Sequence, residues 1–346
     1  MKAIVHYDYG PPDVLRCEEV EKPVPRDGEV LIRVRAASVN PLDWHFLRGT
    51  PYIGRLQFGL RKPKSTRLGA DVAGEVEAAG RNVTRLKPGD EVFGACRGAF
   101  ADYVCVSESD VVLKPGNVTF EQAASAPVAG FTALQALRDK GRLQPGQTVL
   151  INGAGGGVGT FAVQIAKSLG ADVTGVCGPG NVERVRSIGA DWIIDYTRED
   201  FTRSGQHYDL ILDCVGNHSL PACRRALNPQ GIYIIVGAPG GQWVGPMARL
   251  LEAIVVSRLG SRRMAPFLAR RNPRDLAILR DLLAAGTVTP VIDRCFKLSE
   301  TPEAIRYLEE GHARGKVVIT GESELPPVLD VSQEPGHATE VNSGTA

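Results

Sequence analysis

One glycine-rich stretch, TVLINGAGGGVGTFAVQIAKSLGA, has the composition of an anion-binding loop. An apolar run ending at Asn152 predicts a strand, and the amphipathic run from Thr160 to Leu169 predicts a helix. Glycines between them let the backbone turn sharply and approach a pyrophosphate, whose charge the helix N-terminus attracts. The spacing departs from a strict G-x-G-x-x-G because alanine takes the first position. We predict a dinucleotide-binding loop made of Ala154, Gly155, Gly156, Gly157, Val158 and Gly159.

The residues after the next predicted strand indicate which nicotinamide dinucleotide binds. Enzymes that use NADH usually place an acidic residue there, against the hydroxyls of the adenine ribose. This chain has Gly178, Pro179, Gly180 and Asn181 instead, with no carboxylate to repel a 2′-phosphate. On the following predicted helix, Arg184 and Arg186 either reach that phosphate or form a solvated face. The pattern favours NADPH.

The elements that must position this loop follow two patterns. Residues 1–120 contain short apolar runs separated by Gly, Pro and Asp, which predicts an all-β portion. From residue 121 onward helices and strands alternate, which is typical of a doubly wound parallel sheet in an α/β protein. Its predicted strands are Thr148–Asn152, Val173–Cys177, Trp192–Asp195, Leu210–Asp213 and Tyr233–Val236.

Composition argues against several classes of function. The 346 residues have a formal net charge of +1, so no overall field attracts nucleic acid or an anionic membrane. No apolar run reaches the roughly 18 residues of a membrane span. Seven cysteines without a C-x-x-C pair predict free thiols, and the N-terminus has no signal or transit pattern. We therefore expect a cytoplasmic protein.

Several motifs, in order along the chain, resemble the zinc-free quinone oxidoreductase branch of the medium-chain dehydrogenase/reductase superfamily. The loop LRGTPY…GLRKPK is similar to that of the mitochondrial reticulon-4-interacting NADPH oxidoreductases and their bacterial counterparts. The other motifs are SVNPLDW (38–44), LGADVAGEV (68–76), LKPGDEVFG (86–94), GAFADYV (98–104), the glycine-rich loop, GADWIIDY (189–196) and EGHARGKVVI (310–319).

The resemblance implies a division into domains. Residues 1–122 and 262–321 would form a GroES-like β-barrel catalytic domain around a Rossmann cofactor-binding domain, residues 123–261. Residues 322–346, which lack Lys, Arg and aromatic residues, are predicted to be a disordered tail.

The resemblance also implies the activity and its site. The expected reaction is hydride transfer from NADPH to a quinone or an α,β-unsaturated carbonyl, with Asn40 lining the active site. Gly178 stands where the family commonly has serine, which weakens the argument for NADPH. Cofactor contacts are expected at Gly178, Arg184, Tyr196, Val215, His312 and Arg314.

Zinc dehydrogenases of the same fold need three protein ligands, and the matching regions of this chain lack them. Asn40 stands in the region of the first cysteine, Ala70 replaces the histidine of a G-H-E motif, and Val128 lies near the third ligand. We predict no bound metal. A conjugated acceptor then needs only orientation and a hydrogen-bond donor for its oxygen, and Asn40 and Tyr52 are the candidate catalytic residues. Tyr52 equally fits a surface loop aromatic.

Two classes of function remain. The first is a reductase acting on a small quinone or enone. The second is a non-catalytic scaffold or RNA-binding protein that binds NADPH. Residues 258–280 hold seven arginines, but aromatic residues are nearly absent there, so solvated faces are favoured over a nucleic-acid site. We expect a homodimer without nucleic-acid or membrane partners.

Overall fold

A computed structural model describes residues 1–237, 261–311 and 313–321 of the chain. The predicted tail 322–346, the segment 238–260 and the candidate cofactor residue His312 lie outside these residues. The described part contains two large sheets, one mainly antiparallel and one parallel, and a smaller pair of strands.

The N-terminal part forms short antiparallel strands, as its turn-rich pattern predicts. Alternate residues of a strand face the same side, and Val30 and Ile32 are fully buried in the core of the first large sheet. β1 (Lys2–Val5) pairs with β2 (Arg16–Glu19), and the first sheet begins with β3 (Glu29–Val39), β4 (Asp71–Ala79), β5 (Glu91–Ala95), β6 (Tyr103–Ser107) and β7 (Val111–Leu113).

The sequence pattern predicts that residues 1–120 are all β. This prediction is wrong, because two helices interrupt the strands. α1 (Pro41–Arg48) follows β3 directly, and α2 (Arg55–Phe58) lies in the loop after it. Asp43 accepts a hydrogen bond from the backbone N–H of Asn40 at 2.8 Å, and Pro41 occupies the first helical position. The SVNPLDW motif is therefore a strand-to-helix junction, whose short helix gives too little periodicity to be read from sequence.

The second large sheet is parallel, which confirms the predicted doubly wound topology. Its strand order is that of a Rossmann sheet, β10-β9-β8-β11-β12-β13, and the order reverses between β8 and β11. Ligands of such sheets bind in the crevice at the carboxyl ends of the strands beside this reversal. The strands are β8 (Thr148–Asn152), β9 (Asp172–Cys177), β10 (Trp192–Asp195), β11 (Tyr208–Asp213), β12 (Leu227–Ile235) and β13 (Arg263–Pro266).

The pattern of residues 121–139 predicts one helix, but the structure divides it. Proline lacks the N–H that a continuous helix would need at Pro127, so two helices meet there. No helix among the described residues has the length and apolar character to cross a bilayer. The helices are α3 (Phe120–Ser125), α4 (Pro127–Leu134), a π-helical turn (Gln135–Lys140), α5 (Gly157–Ser168), α6 (Val182–Ser187) and α7 (Leu220–Arg225). α5, α6 and α7 pack on the parallel sheet, whereas α3 packs on the first large sheet.

The chain then returns to the first sheet through α8 (Pro273–Ala284), β14 (Ile292–Lys297), α9 (Thr301–Glu309) and β15 (Lys316–Thr320). β15 pairs antiparallel with β3, with Val317 opposite Val39, so both ends of the described chain build one sheet. The predicted Rossmann boundary at residue 261 differs from the structure in one respect. β13 belongs to the parallel sheet, and its four residues, RMAP, are too few and too mixed to be recognised as a strand.

Candidate active site

The glycine-rich loop joins β8 to α5 at the reversal point of the parallel sheet. Gly153 has a φ of +87°, a left-handed conformation that favours glycine, and its carbonyl accepts a hydrogen bond from the N–H of Gly156 at 3.0 Å. Gly156 precedes the first helical residue, Gly157, and no side chain caps the helix. The N–H groups of the first turn of α5 are thus left available to an anion.

Gly159 and Gly156 of this loop have different surroundings. A Cβ on Gly159 would lie 2.1 Å from the carbonyl oxygen of Gly153, so glycine is required there for the loop to pack on its own helix. Among the described residues, a Cβ on Gly156 would have one neighbour within 4 Å, that same oxygen at 3.4 Å. Gly156 therefore faces space that the described part of the chain does not fill, and this space suits the pyrophosphate of a dinucleotide.

A buried hydrogen-bond network holds the strand ends beside the loop. The Asp213 carboxylate accepts hydrogen bonds from the N–H groups of Val215 and Gly216 at 2.9 and 2.8 Å, and from the hydroxyl of Tyr233. Asn152 donates a further hydrogen bond to Asp213 at 2.9 Å. Val215 consequently packs against the loop, where a Cβ on Gly153 would lie 2.8 Å from its side chain.

A second group of residues, the β9-end cluster, surrounds the turn after β9. It consists of Gly178, Gly180, Asn181, Arg184, Tyr196 and Arg314. A Cβ on Gly178 would lie 3.0 Å from the Tyr196 hydroxyl, and one on Gly180 would lie 3.3 Å from the Arg314 guanidinium carbon. Arg184 donates a hydrogen bond to the backbone oxygen of Arg314 at 2.8 Å. The structure thus brings together four residues proposed from the sequence.

The charge and exposure of this cluster suit an anionic ligand. The cluster contains two guanidinium groups, that of Arg314 beside Gly180 and that of Arg184 against the Arg314 backbone oxygen, and no carboxylate is among the cluster residues. Tyr196 is 58% exposed, so its ring is available to a ligand. Arg186, also considered for the phosphate, instead pairs with Glu183 on the same helix.

A third group, the buried polar cluster, lies where β3, β4 and β15 meet. It consists of Ser38, Asn40, Asp43, Asp71 and Lys316, each at most 3% exposed. Lysine can only donate, so the side-chain oxygen of Asn40 faces Lys316, at 2.7 Å. The Asn40 amide nitrogen then donates to Asp71 at 2.9 Å and to the Ser38 carbonyl at 3.2 Å. Both amide hydrogens are engaged within the protein, so an acceptor oxygen would have to compete for them.

Asp71 is the hub of the buried polar cluster. Its carboxylate also accepts hydrogen bonds from the Ser38 hydroxyl at 2.7 Å and the Val128 N–H at 2.9 Å, and it lies 3.7 Å from the Lys316 ammonium. Opposite charge and hydrogen bonds offset the cost of burying this carboxylate. Burial lowers the pKa of Lys316, while Asp71 and Asp43 oppose that shift.

Asp43 ties the cluster to the loop that follows α1. Its second oxygen accepts the N–H of Gly69 at 3.0 Å, so the excursion through residues 49–68 begins and ends beside the cluster. Burial raises the pKa of Asp43 to about 7, against the opposing effect of the N–H groups of Asn40 and Gly69.

Tyr52 lies in that excursion. Its ring packs against the Arg55 guanidinium at 4.5 Å, and the same guanidinium lies 4.4 Å from the ring of Tyr9. Arg55 also donates to the carbonyl of Gly49 at 3.0 Å. These contacts fix Tyr52 in the loop, and a catalytic role for it stays a prediction.

At the positions considered for zinc, Asn40, Ala70 and Val128 are all unsuited to hold the metal. Across the described ranges, no three His, Cys, Asp or Glu side chains converge as a metal-holding group.

Sequence reasoning missed Asp71 and Lys316 as site residues. Each is a charged residue next to a run of apolar strand residues, in DVAG and KVVI, and that contrast was the available signal. It also missed Asn181, whose side chain packs over Gly155, where a Cβ would lie 2.8 Å from it.

The chain is similar to known dehydrogenases and oxidoreductases. Residues 26–116 match the family described as alcohol dehydrogenase GroES-like domain, and residues 188–319 match the one described as zinc-binding dehydrogenase. The mitochondrial NAD(P)H oxidoreductase RTN4IP1 of Mus musculus is 36% identical, over 92% of this chain and 89% of that protein.

Two further relatives cover a similar share. The 2-methylene-furan-3-one reductase of Solanum lycopersicum is 34% identical, over 92% of this chain and 79% of that protein. The solved structure of the quinone oxidoreductase from Coxiella burnetii is 33% identical, with a TM-score of 0.81 over 92% of this chain and 99% of that chain.

Proposed function

The chain belongs to the medium-chain dehydrogenase/reductase superfamily, among its quinone oxidoreductases, and on this basis we propose that it transfers a hydride from NADPH to a quinone or an α,β-unsaturated carbonyl. The names of its relatives include both acceptor classes, since a 2-methylene-furan-3-one is a conjugated enone. The observation that carries the proposal is an open pyrophosphate loop at Gly156 in a site whose zinc positions hold Asn40, Ala70 and Val128.

The residues of the loop bind and orient the cofactor. The first-turn N–H groups of α5 would hold the pyrophosphate in front of Gly156, and Val215 lies beside Gly153 at the edge of the loop. When bound, the nicotinamide supplies a hydride, and one proton completes the two-electron reduction of the acceptor. The protein contributes chiefly orientation and a positive electrostatic environment for the charge that develops on the acceptor oxygen.

We further propose that NADPH is preferred over NADH. Support comes from the β9-end cluster, where the Arg314 guanidinium lies beside Gly180, Arg184 donates to the Arg314 backbone oxygen, and no carboxylate is among the cluster residues. Guanidinium groups bind phosphate by charge-assisted hydrogen bonds, and Tyr196 offers a flat face beside Gly178.

Zinc independence is part of the proposal. Removing a proton from an alcohol as hydride leaves requires a Lewis acid or a tuned base. Asn40, Ala70 and Val128 supply neither, whereas reduction of a conjugated acceptor does not need that step.

One experiment tests these statements together. NADPH oxidation is followed with a panel of quinones, enals and enones, and ethanol and benzyl alcohol are offered with NADP⁺ as the reverse assay. We expect turnover with at least one conjugated acceptor, no useful alcohol oxidation, and no loss of activity after chelation. Alcohol oxidation that a chelator abolishes would overturn the proposal. Tight NADPH binding without turnover on any acceptor would favour the non-catalytic scaffold.

For the compartment and assembly, we propose a cytoplasmic homodimer. None of the seven cysteines, all in the described part of the chain, forms a disulfide, which suits a reducing compartment. Subcellular fractionation tests the location, and light scattering tests whether the mass is twice 37.1 kDa.

A further inference from the structure

Lys316 is a buried lysine for which no role is predicted from the sequence. It is the first residue of β15 and is 3% exposed. A buried ion pair is often replaceable by apolar side chains without loss of stability, so its presence is weak evidence for a structural purpose. The contacts of Lys316 indicate a different one.

The side chain of Lys316 runs between the pyrophosphate loop and the buried polar cluster. A Cβ on Gly157 would lie 3.1 Å from Cδ of Lys316, so the aliphatic stem runs against the first residue of α5. The ammonium reaches Asn40 Oδ1 at 2.7 Å. One side chain thus contacts both the pyrophosphate loop and the buried polar cluster.

The ammonium also determines how Asn40 is oriented. Lys316 has only donors, so it fixes the Asn40 oxygen toward itself and the amide nitrogen toward Asp71, 2.9 Å away. Asp71 and the Ser38 carbonyl still accept from the amide nitrogen, so loss of Lys316 would leave the Asn40 oxygen without its donor. It would also remove the positive charge from beside the loop.

We infer that Lys316 is a positioning residue of the reductase site, which fixes the Asn40 carboxamide and supplies a positive charge between the pyrophosphate loop and the acceptor. This inference rests on the proposed function for its kinetic consequences and on the geometry alone for its effect on cofactor binding. The competing explanation is that Lys316 only neutralises Asp71.

A charge-neutral double variant separates the two explanations. Lys316→Met keeps most of the stem and removes the charge, but it leaves Asp71 unpaired. In Lys316→Met combined with Asp71→Asn, neither of these two charges remains, so the net charge of the cluster stays as in the wild type. Lys316→Gln serves as a second variant, because it retains a donor for Asn40 without the charge.

The control is another buried lysine. Lys114 has a side chain 6% exposed, pairs with Glu91 at 3.0 Å and donates to the Val118 carbonyl at 2.9 Å, outside all three site clusters. Lys114→Met therefore imposes a comparable loss of a buried ammonium. We expect it to lower thermal stability while leaving turnover per folded molecule at the wild-type level.

The readouts are steady-state kinetics with one quinone and one enone, and the affinities for NADPH and for 2′,5′-ADP, which lacks the pyrophosphate and nicotinamide. For the double variant we expect turnover and NADPH affinity each to fall about tenfold, the size of one charge-assisted contact, with 2′,5′-ADP binding unchanged. Lys316→Gln should recover turnover in part, but not NADPH affinity.

Recovery of wild-type turnover and NADPH affinity in the double variant would overturn the inference, as would wild-type values in Lys316→Gln. An equal loss of 2′,5′-ADP affinity would also overturn it, since the effect would not be local. If the wild type consumes no NADPH with any acceptor, the proposed function fails, and the two affinities still decide the role of Lys316.

Discussion

The β9-end cluster and the buried polar cluster are two regions of the proposed site that are built by different means. The first is open: Arg314 is exposed, and glycines bring backbone close to the ligand space. The second is closed, because Asn40, Asp71 and Lys316 satisfy one another out of contact with water.

Because one cluster is exposed and the other is buried, we expect the two regions to respond to substitution in different ways. Removing an exposed side chain changes what binds, because water replaces the missing group at little cost to folding. Removing a buried partner leaves an unpaired charge or donor, which destabilises the fold itself. Four substitutions test this contrast.

The largest effect is expected for Asp71→Ala. The change leaves the Lys316 ammonium and the Val128 N–H without their buried acceptor, and breaking a buried charge pair typically costs about 3–5 kcal/mol. Urea unfolding measures the free energy. Ser38→Ala, which removes one of the donors to Asp71, should cost only about 1 kcal/mol. Similar small losses in both variants would contradict the hub role of Asp71.

Gly156→Val should abolish cofactor binding while the fold remains. The new side chain would fill the space in front of the loop, where the Gly153 oxygen is the one near atom of the described residues, so a loss of NADPH affinity of about 100-fold or more is expected. NADPH fluorescence enhancement reports binding, and circular dichroism reports the fold. Gly159→Ala is the contrasting variant, because its Cβ would collide with the Gly153 oxygen and disturb the loop itself. Retained NADPH binding in Gly156→Val would remove this glycine from the site.

Asn40→Ala tests the reacting end of the site. Loss of a full oxyanion donor slows an enzyme by about 100-fold or more, but the Asn40 hydrogens are already engaged and quinones are good acceptors. We therefore expect turnover to fall about tenfold with an enone and less with a quinone. Unchanged turnover with both acceptors would exclude Asn40 from the mechanism.

The smallest effect is expected for Arg314→Ala. It should weaken NADPH binding about tenfold, the contribution of one charge-assisted contact at an exposed site, and leave NADH binding and thermal stability unchanged. Calorimetric titration with both cofactors measures the preference. Arg186→Ala is the matched control, since Arg186 pairs with Glu183 on the same helix. Equal losses for NADH and NADPH would show that Arg314 does not contact the 2′-phosphate.

The fold and the cofactor loop could be predicted because their signals are contiguous in the chain. Strand and helix periodicity between residues 148 and 213 gave the parallel sheet, and the clustered glycines gave the β8–α5 turn. The expectation of no zinc rests on residue type alone, at Asn40, Ala70 and Val128, and stays a prediction. Short elements such as α1 and β13 were not predicted, because so few residues do not establish a periodicity.

Tertiary structure alone decided how the buried polar cluster is assembled. Asn40 and Lys316 are 276 residues apart in sequence and meet only because β15 pairs with β3. No local pattern encodes that pairing, and the orientation of the Asn40 carboxamide depends on which neighbour can only donate. The sequence thus determined which residue types are present, whereas the pairing of distant strands determined which charges are buried together.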